Sequence, residues 1–221
     1  MLRTATLFLI LLLALVVAAP VLAQEEAHFE GFTRNTNPNI AGTVINGRGL
    51  VTALYAPLTS NFVANEYTWE ILGLTSQGSV LRDSVYYTTY SVIGSTFSIY
   101  EDPAQDARPT YYFCPTTNPD GVYNNGAVYL RGHFTQYSTT FDIHADSYGV
   151  GTFQGMVNWD SGTHLFELPP GRRGSWQFGG STTSSYACIP ASYEQALTGR
   201  IFQVTTPVRN STWGQVRRLY H

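Results

Sequence analysis

Short runs in which apolar and polar residues alternate dominate the chain after its N-terminal segment. In "EYTWEILGL" the large apolar residues Tyr67, Trp69 and Ile71 fall on one side of an extended backbone. The residues between them, Thr68 and Glu70, fall on the other side. Comparable runs recur with turn signals roughly every ten residues, and helical periodicity is nearly absent. The pattern predicts an all-β fold: a single antiparallel β-sandwich or open β-barrel of about nine to eleven strands.

The N-terminal segment departs from this pattern. Arg3 precedes a continuous apolar run over residues 7–18, and Ala23 ends a motif of small residues. This combination predicts a secretory signal peptide over residues 1–23 that is removed from the mature protein. The alternative is an uncut membrane anchor, since the apolar stretch could nearly span a bilayer. We favour cleavage, which makes the mature chain an exported protein, secreted or periplasmic, with no membrane span.

The remaining chain divides into two parts. Residues 24–206 predict one β-rich domain, because this length suits a single all-β core. Residues 207–221 are expected to form a linker and a short C-terminal tail. The sequence "STWGQVRRLYH" either starts a short helix capped by Ser211 or Thr212 or folds back without one, and we favour the second interpretation.

Composition and motifs exclude several function classes. The formal net charge is −3 and the chain contains no lysine, whereas nucleic acids require a basic stripe facing their phosphates. The sequence contains no nucleophile elbow, zinc-protease helix, phosphate-binding glycine loop or EF-hand, and we expect no cofactor. Glu101 and Asp102 are neighbouring carboxylates that would point to opposite faces of a strand, unlike a glycosidase pair that shares one cleft.

Cys114 and Cys188 are the only cysteines. Because an exported protein meets an oxidising compartment, we expect one disulfide between them, stabilising the fold by about 3–5 kcal/mol. The alternative is a pair of buried free thiols. Neither cysteine has the spacing of a redox or zinc motif.

The stretch "FDIHADSYG" places Asp142, His144 and Asp146 on one side of an extended chain. A hairpin that turns at residues 138–139 would bring His133 of the preceding strand opposite His144. We favour an ordinary solvated strand face, in which such cross-strand pairs contribute only tenths of a kcal/mol each, by the ~0.2–1 kcal/mol scale of exposed pairs.

A metal site is the alternative for the same residues. His133 and His144, helped by Asp142 or Asp146, carry the imidazole and carboxylate groups that bind divalent transition metals. A third or fourth ligand would then be needed, and His164 is one source. The preferred interpretation remains that no metal binds here.

Aromatic residues exceed what a modest core requires, and exposed rings stack on sugars or anchor protein interfaces. The sequence therefore suggests a glycan or a cell-surface protein as partner. The alternative is that alternate tyrosines cover the core while their hydroxyls reach water. The candidate ligand-binding rings are Tyr86, Tyr87, Tyr90, Tyr111 and Tyr112, with Trp159, Trp176 and Trp213 as further aromatics.

Four sequence blocks carry a resemblance: "NEYTWEILGLTSQG", "IYEDP", "GTFQGMVNWDSGTHLFEL" and "CIPASYEQALTGRI". In this order they resemble blocks of uncharacterised bacterial secreted β-rich proteins. The closing "TWGQVRRLYH" resembles the short tail of such proteins, Thr-Trp-Gly followed by a basic-aromatic end. The resemblance implies a bacterial exported protein and brings no activity. "FQGMVNWDSGTHLF" also resembles the strand pairs of small eight-stranded barrels such as allene oxide cyclase-like proteins, a likeness of fold alone.

The function that these observations favour is non-enzymatic: a binding or structural module of the cell envelope or the medium. The alternative is an extracellular carbohydrate-active or metal-dependent enzyme. A deep pocket lined by His133, His144 and an acid would favour the enzyme, and a flat row of tyrosines would favour the binding module.

Overall fold

The computed structural model describes residues 25–35, 38–107, 120–143, 149–184, 188–190 and 192–203. Within these ranges the chain forms nine β-strands and three short 3₁₀ helices, and no helix is long and apolar enough to cross a membrane. The strands are β1 (Glu25–Thr33), β2 (Val44–Leu54), β3 (Glu66–Arg82), β4 (Val85–Ser91), β5 (Thr96–Asp102), β6 (Ala127–Asp142), β7 (Val150–Ser161), β8 (Trp176–Thr183) and β9 (Gln195–Gln203). The 3₁₀ helices are Asp120–Val122, Leu165–Glu167 and Pro170–Arg172.

Eight of these strands close into an antiparallel barrel. Going round the wall, the order is β1, β2, β3, β5, β6, β7, β8 and β9, and β9 pairs with β1 again. The prediction of an all-β antiparallel fold is confirmed, and the described strands number nine, within the expected range. The expectation of a sandwich or an open barrel is corrected: pairing of the first strand with the last leaves neither of them as a bare sheet edge.

The remaining strand, β4, shares its position in the barrel wall with β5. β3 and β6 are long, 17 and 16 residues, and both β4 and β5 lie between them. β5 pairs with the first half of β3 and the first half of β6, while β4 pairs with their second halves. β4 therefore extends the barrel wall at one end.

Aromatic side chains fill the interior. Phe29 of β1 stacks on Phe178 of β8 with ring centroids 4.9 Å apart, and it contacts Trp69, Phe97 and Phe153. Tyr67, Trp69 and Ile71 are all buried, which confirms the inward face predicted from alternation, and they belong to the same cluster. A packed interior of this kind is a core rather than a ligand cavity.

One glycine is required by this packing. A Cβ atom on Gly31 would lie 2.5 Å from Cζ2 of Trp69 and closer still to the backbone oxygen of Arg48. The Trp69 indole therefore lies against bare backbone, and its Nε1 donates a hydrogen bond to the carbonyl oxygen of Glu30 at 2.9 Å.

A second, smaller apolar cluster lies on the other side of the wall. It joins Phe32 and Leu50, from β1 and β2, to Tyr123 and Tyr193 of the connecting segments. On the same face, Arg48 pairs at 2.8 Å with Glu70, which is almost fully buried. The outer face of β2 and β3 is thus covered by loops. On the outer face of β7 and β8, the side chains of Gln154 and Gln177 are exposed.

Several predictions fall on parts of the chain outside the described residues. These are the signal peptide over residues 1–23, the tail over residues 207–221 and one end of the disulfide, Cys114. In the part of the chain that the structure describes, Cys188 is half-buried and no cysteine is a free thiol. Its pairing with Cys114 stays a prediction.

Candidate functional site

The hairpin predicted around "FDIHADSYG" is wrong. β6 continues through residues 138–139 to Asp142, because this Ser-Thr-Thr run has no Gly, Pro, Asn or Asp to form a tight turn and because Tyr137 and Thr139 are buried in the wall. The strand that pairs with the second half of β6 is β7, which begins at Val150. His144 and Asp146 lie outside the described residues.

His133 and Asp142 consequently cannot hold one metal ion. They lie on a single strand nine residues apart, which corresponds to about 30 Å. The ring of His133 instead contacts Asp160 of β7, with Nδ1 2.9 Å from Oδ2, and both side chains are half exposed. The favoured interpretation of His133 as part of a solvated strand face agrees with this geometry.

The predicted row of exposed tyrosines does not form from the described members of the set. Tyr90 is buried, Tyr86 is half-buried and only Tyr87 is exposed. The Tyr90 hydroxyl donates to Asn35 Oδ1 at 3.1 Å and accepts from Asn39 Nδ2 at 2.9 Å. Among the tryptophans Trp159 and Trp176 are buried, whereas Tyr111, Tyr112 and Trp213 lie outside the described residues.

A polar network that the sequence did not indicate lies at one end of the barrel. We call it the mouth cluster: Tyr67, Glu101, Tyr129, His164 and Glu167. Each strand member lies near a strand end, at the start of β3, at the end of β5 and at the start of β6. Of the other two, His164 precedes the first 3₁₀ helix after β7 and Glu167 is the last residue of that helix. An antiparallel meander gathers these ends at one side of the barrel.

His164 is the centre of the mouth cluster. Its Nδ1 lies 3.1 Å from Oε1 of Glu167, and its Nε2 lies 3.6 Å from Oε2 of Glu101. The imidazole stacks on the ring of Tyr129 with centroids 4.2 Å apart. A neutral imidazole has one N–H donor, so only the doubly protonated ring can present a donor to both carboxylates.

The two carboxylates are held by further donors. Glu101 Oε1 accepts hydrogen bonds from the Tyr67 hydroxyl at 2.7 Å and from Asn65 Nδ2 at 2.6 Å. Glu167 accepts from both the backbone N–H and the hydroxyl of Thr59. The cluster therefore fixes the loop between β2 and β3 to the barrel end.

Burial and these contacts lower the pKa of one carboxylate of the mouth cluster and raise the pKa of its two tyrosines. Burial alone would raise the pKa of Glu167, but the hydrogen bonds from Thr59 and the nearby His164 outweigh it, so the pKa is lowered. Burial, reinforced by the charge of Glu167, raises the pKa of Tyr129. Burial is also the largest cause of the raised pKa of Tyr67. The cluster thus combines anionic acceptors with neutral hydroxyl donors, and these shifts stabilise the hydrogen-bonded network rather than move the pKa values of the three groups toward neutral pH.

A second feature lies on the outer face of the barrel, across β7, β8, β9 and β1. Two adjoining depressions of about 510 and 570 Å³ share Gly179, Gly180 and Arg200, and together we call them the outer groove. Other side chains that line it are His28, Glu30, Thr52, Gln136, Gln154, Met156, Gln177, Ser181, Thr198 and Phe202.

Strand register explains the shape of the outer groove. Gln154, Gly179, Arg200 and His28 are direct partners across β7, β8, β9 and β1. Gly179 contributes no side chain in the middle of this row, so a gap opens between Gln154 and Arg200. Both flanking side chains are exposed.

The outer groove is polar, and few of its side chains are charged. Its donors and acceptors are mainly glutamine amides and Ser or Thr hydroxyls. The Arg200 guanidinium lies 5.0 Å from the ring centroid of Phe202, and its Nη1 lies 3.6 Å from Oε1 of Glu26. Glu26 also contacts His28 Nε2 at 2.7 Å. Such side chains can exchange hydrogen bonds with a polyhydroxylated ligand without a large desolvation cost.

The sequence indicates two residues of the mouth cluster but none of the outer groove. The sequence names His164 only as a further metal ligand beside His133, and Glu101 only as a carboxylate next to Asp102. The groove residues carry no motif. The mouth cluster could be predicted from the position of Tyr67, Glu101 and Tyr129 near strand ends, but only if the order of the strands in the barrel were already known.

No known family model, curated protein or solved structure matches this chain.

Proposed function

We propose that the protein is an exported, non-enzymatic module that binds a glycan along the outer groove. The observation that carries this proposal is the merging of two depressions across the glycine gap of β8, lined by amides, hydroxyls and one arginine. Concave sites with a few convergent polar groups are the usual ligand sites of proteins.

The chemistry of the lining favours an uncharged carbohydrate over other ligands. The planar amides of Gln154 and Gln177 can pair with adjacent sugar hydroxyls. Phe202 and Met156, both half-buried, offer apolar surface to the C–H face of a sugar ring. Because Glu26 lies next to Arg200, the groove has little net positive charge to attract a polyanion.

Titration of the mature protein with soluble oligosaccharides tests the proposal. We would use peptidoglycan fragments, cello-oligosaccharides and chito-oligosaccharides, and measure Kd by isothermal calorimetry. For a glycan that binds, Gln154→Ala should weaken affinity about fivefold and Arg200→Ala about tenfold or more, as expected for the loss of one neutral and one charged hydrogen bond.

Gln77→Ala is the matched control. Gln77 is an exposed strand glutamine on β3, away from the groove, where its Oε1 accepts a hydrogen bond from Thr89. Its replacement should leave Kd unchanged. The proposal would be overturned if no glycan bound, or if the groove variants bound as tightly as the wild type.

One observation favours a second candidate function, an extracellular carbohydrate-active enzyme. It is the position of His164 between the carboxylates of Glu101 and Glu167. In this case His164→Gln should abolish the release of reducing ends from an oligosaccharide substrate, while His133→Gln, at an exposed histidine of β6, should not. Equal rates for the two variants would rule out catalysis by the mouth cluster.

A further inference from the structure

Three carboxylates converge at the join between β3, β5 and the segment that follows β5. Glu66 is the first residue of β3 and Asp102 the last residue of β5, and the two are direct cross-strand partners. Asp106 follows in the next turn. One oxygen from each of the three lies within 4.8 Å of the other two. Glu66 and Asp102 are 1% and 4% exposed, while Asp106 reaches solvent.

The Asp102 carboxylate has a buried oxygen without a donor. Oδ1 accepts a hydrogen bond from the backbone N–H of Ala104 at 2.9 Å. Oδ2 is buried and, among the described residues, none donates a hydrogen bond to it. An ionised carboxylate accepts at both oxygens, and a buried acceptor left unsatisfied is destabilising. Asp102 is thus an incompletely satisfied acceptor in a group of carboxylates.

From the convergence of these groups we infer that Glu66, Asp102 and Asp106 bind one calcium ion. Carboxylate oxygens are the ligands of hard divalent cations, and the group contains no histidine or cysteine that would favour zinc or copper. Magnesium is usually held by one or two carboxylates and keeps several waters, whereas three protein carboxylates with water are typical of calcium.

The surrounding contacts hold two of the carboxylates in place. Glu66 Oε1 accepts from the Ala107 N–H at 2.6 Å, and Asn125 Nδ2 donates to Asp106 at 3.2 Å. Both contacts orient the carboxylates. Exposed Asp106 supplies an entry path, and water can complete the six to eight ligands that calcium takes. The ion would tie the segment after β5 to the wall of the barrel.

Calorimetry with calcium chloride on the full mature chain, after treatment with a chelator and buffer exchange, tests this inference. We expect one calcium ion per chain and a rise in Tm of at least about 5 °C when calcium exceeds Kd a hundredfold. Asp102→Asn keeps the shape of the side chain and removes its charge, and it should weaken binding at least tenfold. Asp160→Asn, at an exposed acid on β7, is the control and should bind like the wild type.

Further outcomes decide the inference if Asp102→Asn does not fold. Asp106→Asn alters only the exposed ligand and should also weaken binding at least threefold. Absence of heat and of a Tm change with calcium in the wild type would overturn the proposal, as would unaltered binding in Asp106→Asn. Tighter binding of magnesium than of calcium would overturn the assignment of the ion. Glycan binding at the outer groove does not depend on any of these results.

Discussion

His164 and its two carboxylate neighbours show how one residue gains its properties from its position. The imidazole is held by stacking on Tyr129 and by contacts at both ring nitrogens. Glu167 is in turn held by Thr59 from the loop between β2 and β3. Each group orients the next, so the protonation state of one residue affects the stability of the barrel end.

Glu167 should make the stability of the protein depend on pH in the acidic range. Its folded-state pKa is lowered, so its contribution to the free energy of unfolding is complete above about pH 4.5 and is lost as pH falls through the folded pKa. The wild type should therefore exceed Glu167→Gln in stability at pH 6, and the difference should shrink below pH 4.5. Urea unfolding between pH 3 and pH 7, roughly the range over which acid unfolding develops, measures this. A difference that stays constant with pH would contradict it.

At the scale of elements, β4 is the strand with the weakest attachment to the core. It has seven residues, of which only Thr88 and Tyr90 are buried. Tyr90 packs against Tyr137, and its hydroxyl connects the strand to Asn35 and Asn39. β4 is thus anchored mainly by one side chain.

Tyr90→Phe should destabilise the protein by about 1–3 kcal/mol, because the buried amides of Asn35 and Asn39 each lose a hydrogen-bond partner. Tyr87→Phe, three residues earlier on the same strand, removes an exposed hydroxyl and should change stability by less than about 0.5 kcal/mol. Denaturant unfolding of both variants gives the comparison. Equal stabilities would show that the hydroxyl network does not anchor β4.

The same element shows why a local pattern was insufficient. Alternation along "SVYYTTYSV" indicates a strand, and the strand is present. Which tyrosines are exposed depends on which face of β4 meets the barrel, and that is set by pairing with β3 and β6. The predicted hairpin at residues 138–139 failed for a related reason: partners were assigned by counting from a turn that the chain does not make.

At the scale of the whole molecule, the decisive contact is the pairing of the first strand with the last. Glu25 is the cross-strand partner of Gln203, so the two ends of the barrel sequence are neighbours in space. This long-range pairing removes the free edges of β1 and β9. The same pairing places β1 beside β9, and the row of cross-strand partners that lines the outer groove therefore extends from β7 to β1.

A circular permutant should therefore fold, whereas a chain without β9 should not. Joining residue 203 to residue 25 with a short linker and opening the exposed turn at Ile93 retains every strand pair, so we expect Tm to change by less than about 5 °C. A chain that ends at Glu194 exposes the edges of β1 and β8 and should aggregate. Circular dichroism melting and light scattering distinguish the two, and a soluble, folded truncation would contradict the importance of closure.

The sequence by itself determined the all-β class, the spacing of the strands and the inward face of β3, because alternation of side chains depends only on neighbours along the chain. Tertiary structure alone decided that the sheet closes, that His164 meets Glu101 and Glu167, and that Glu66 lies opposite Asp102. These outcomes depend on strand register and on pairs distant in sequence. A shift of one residue in register moves every side chain to the other face, and local pattern does not specify which register the whole barrel adopts.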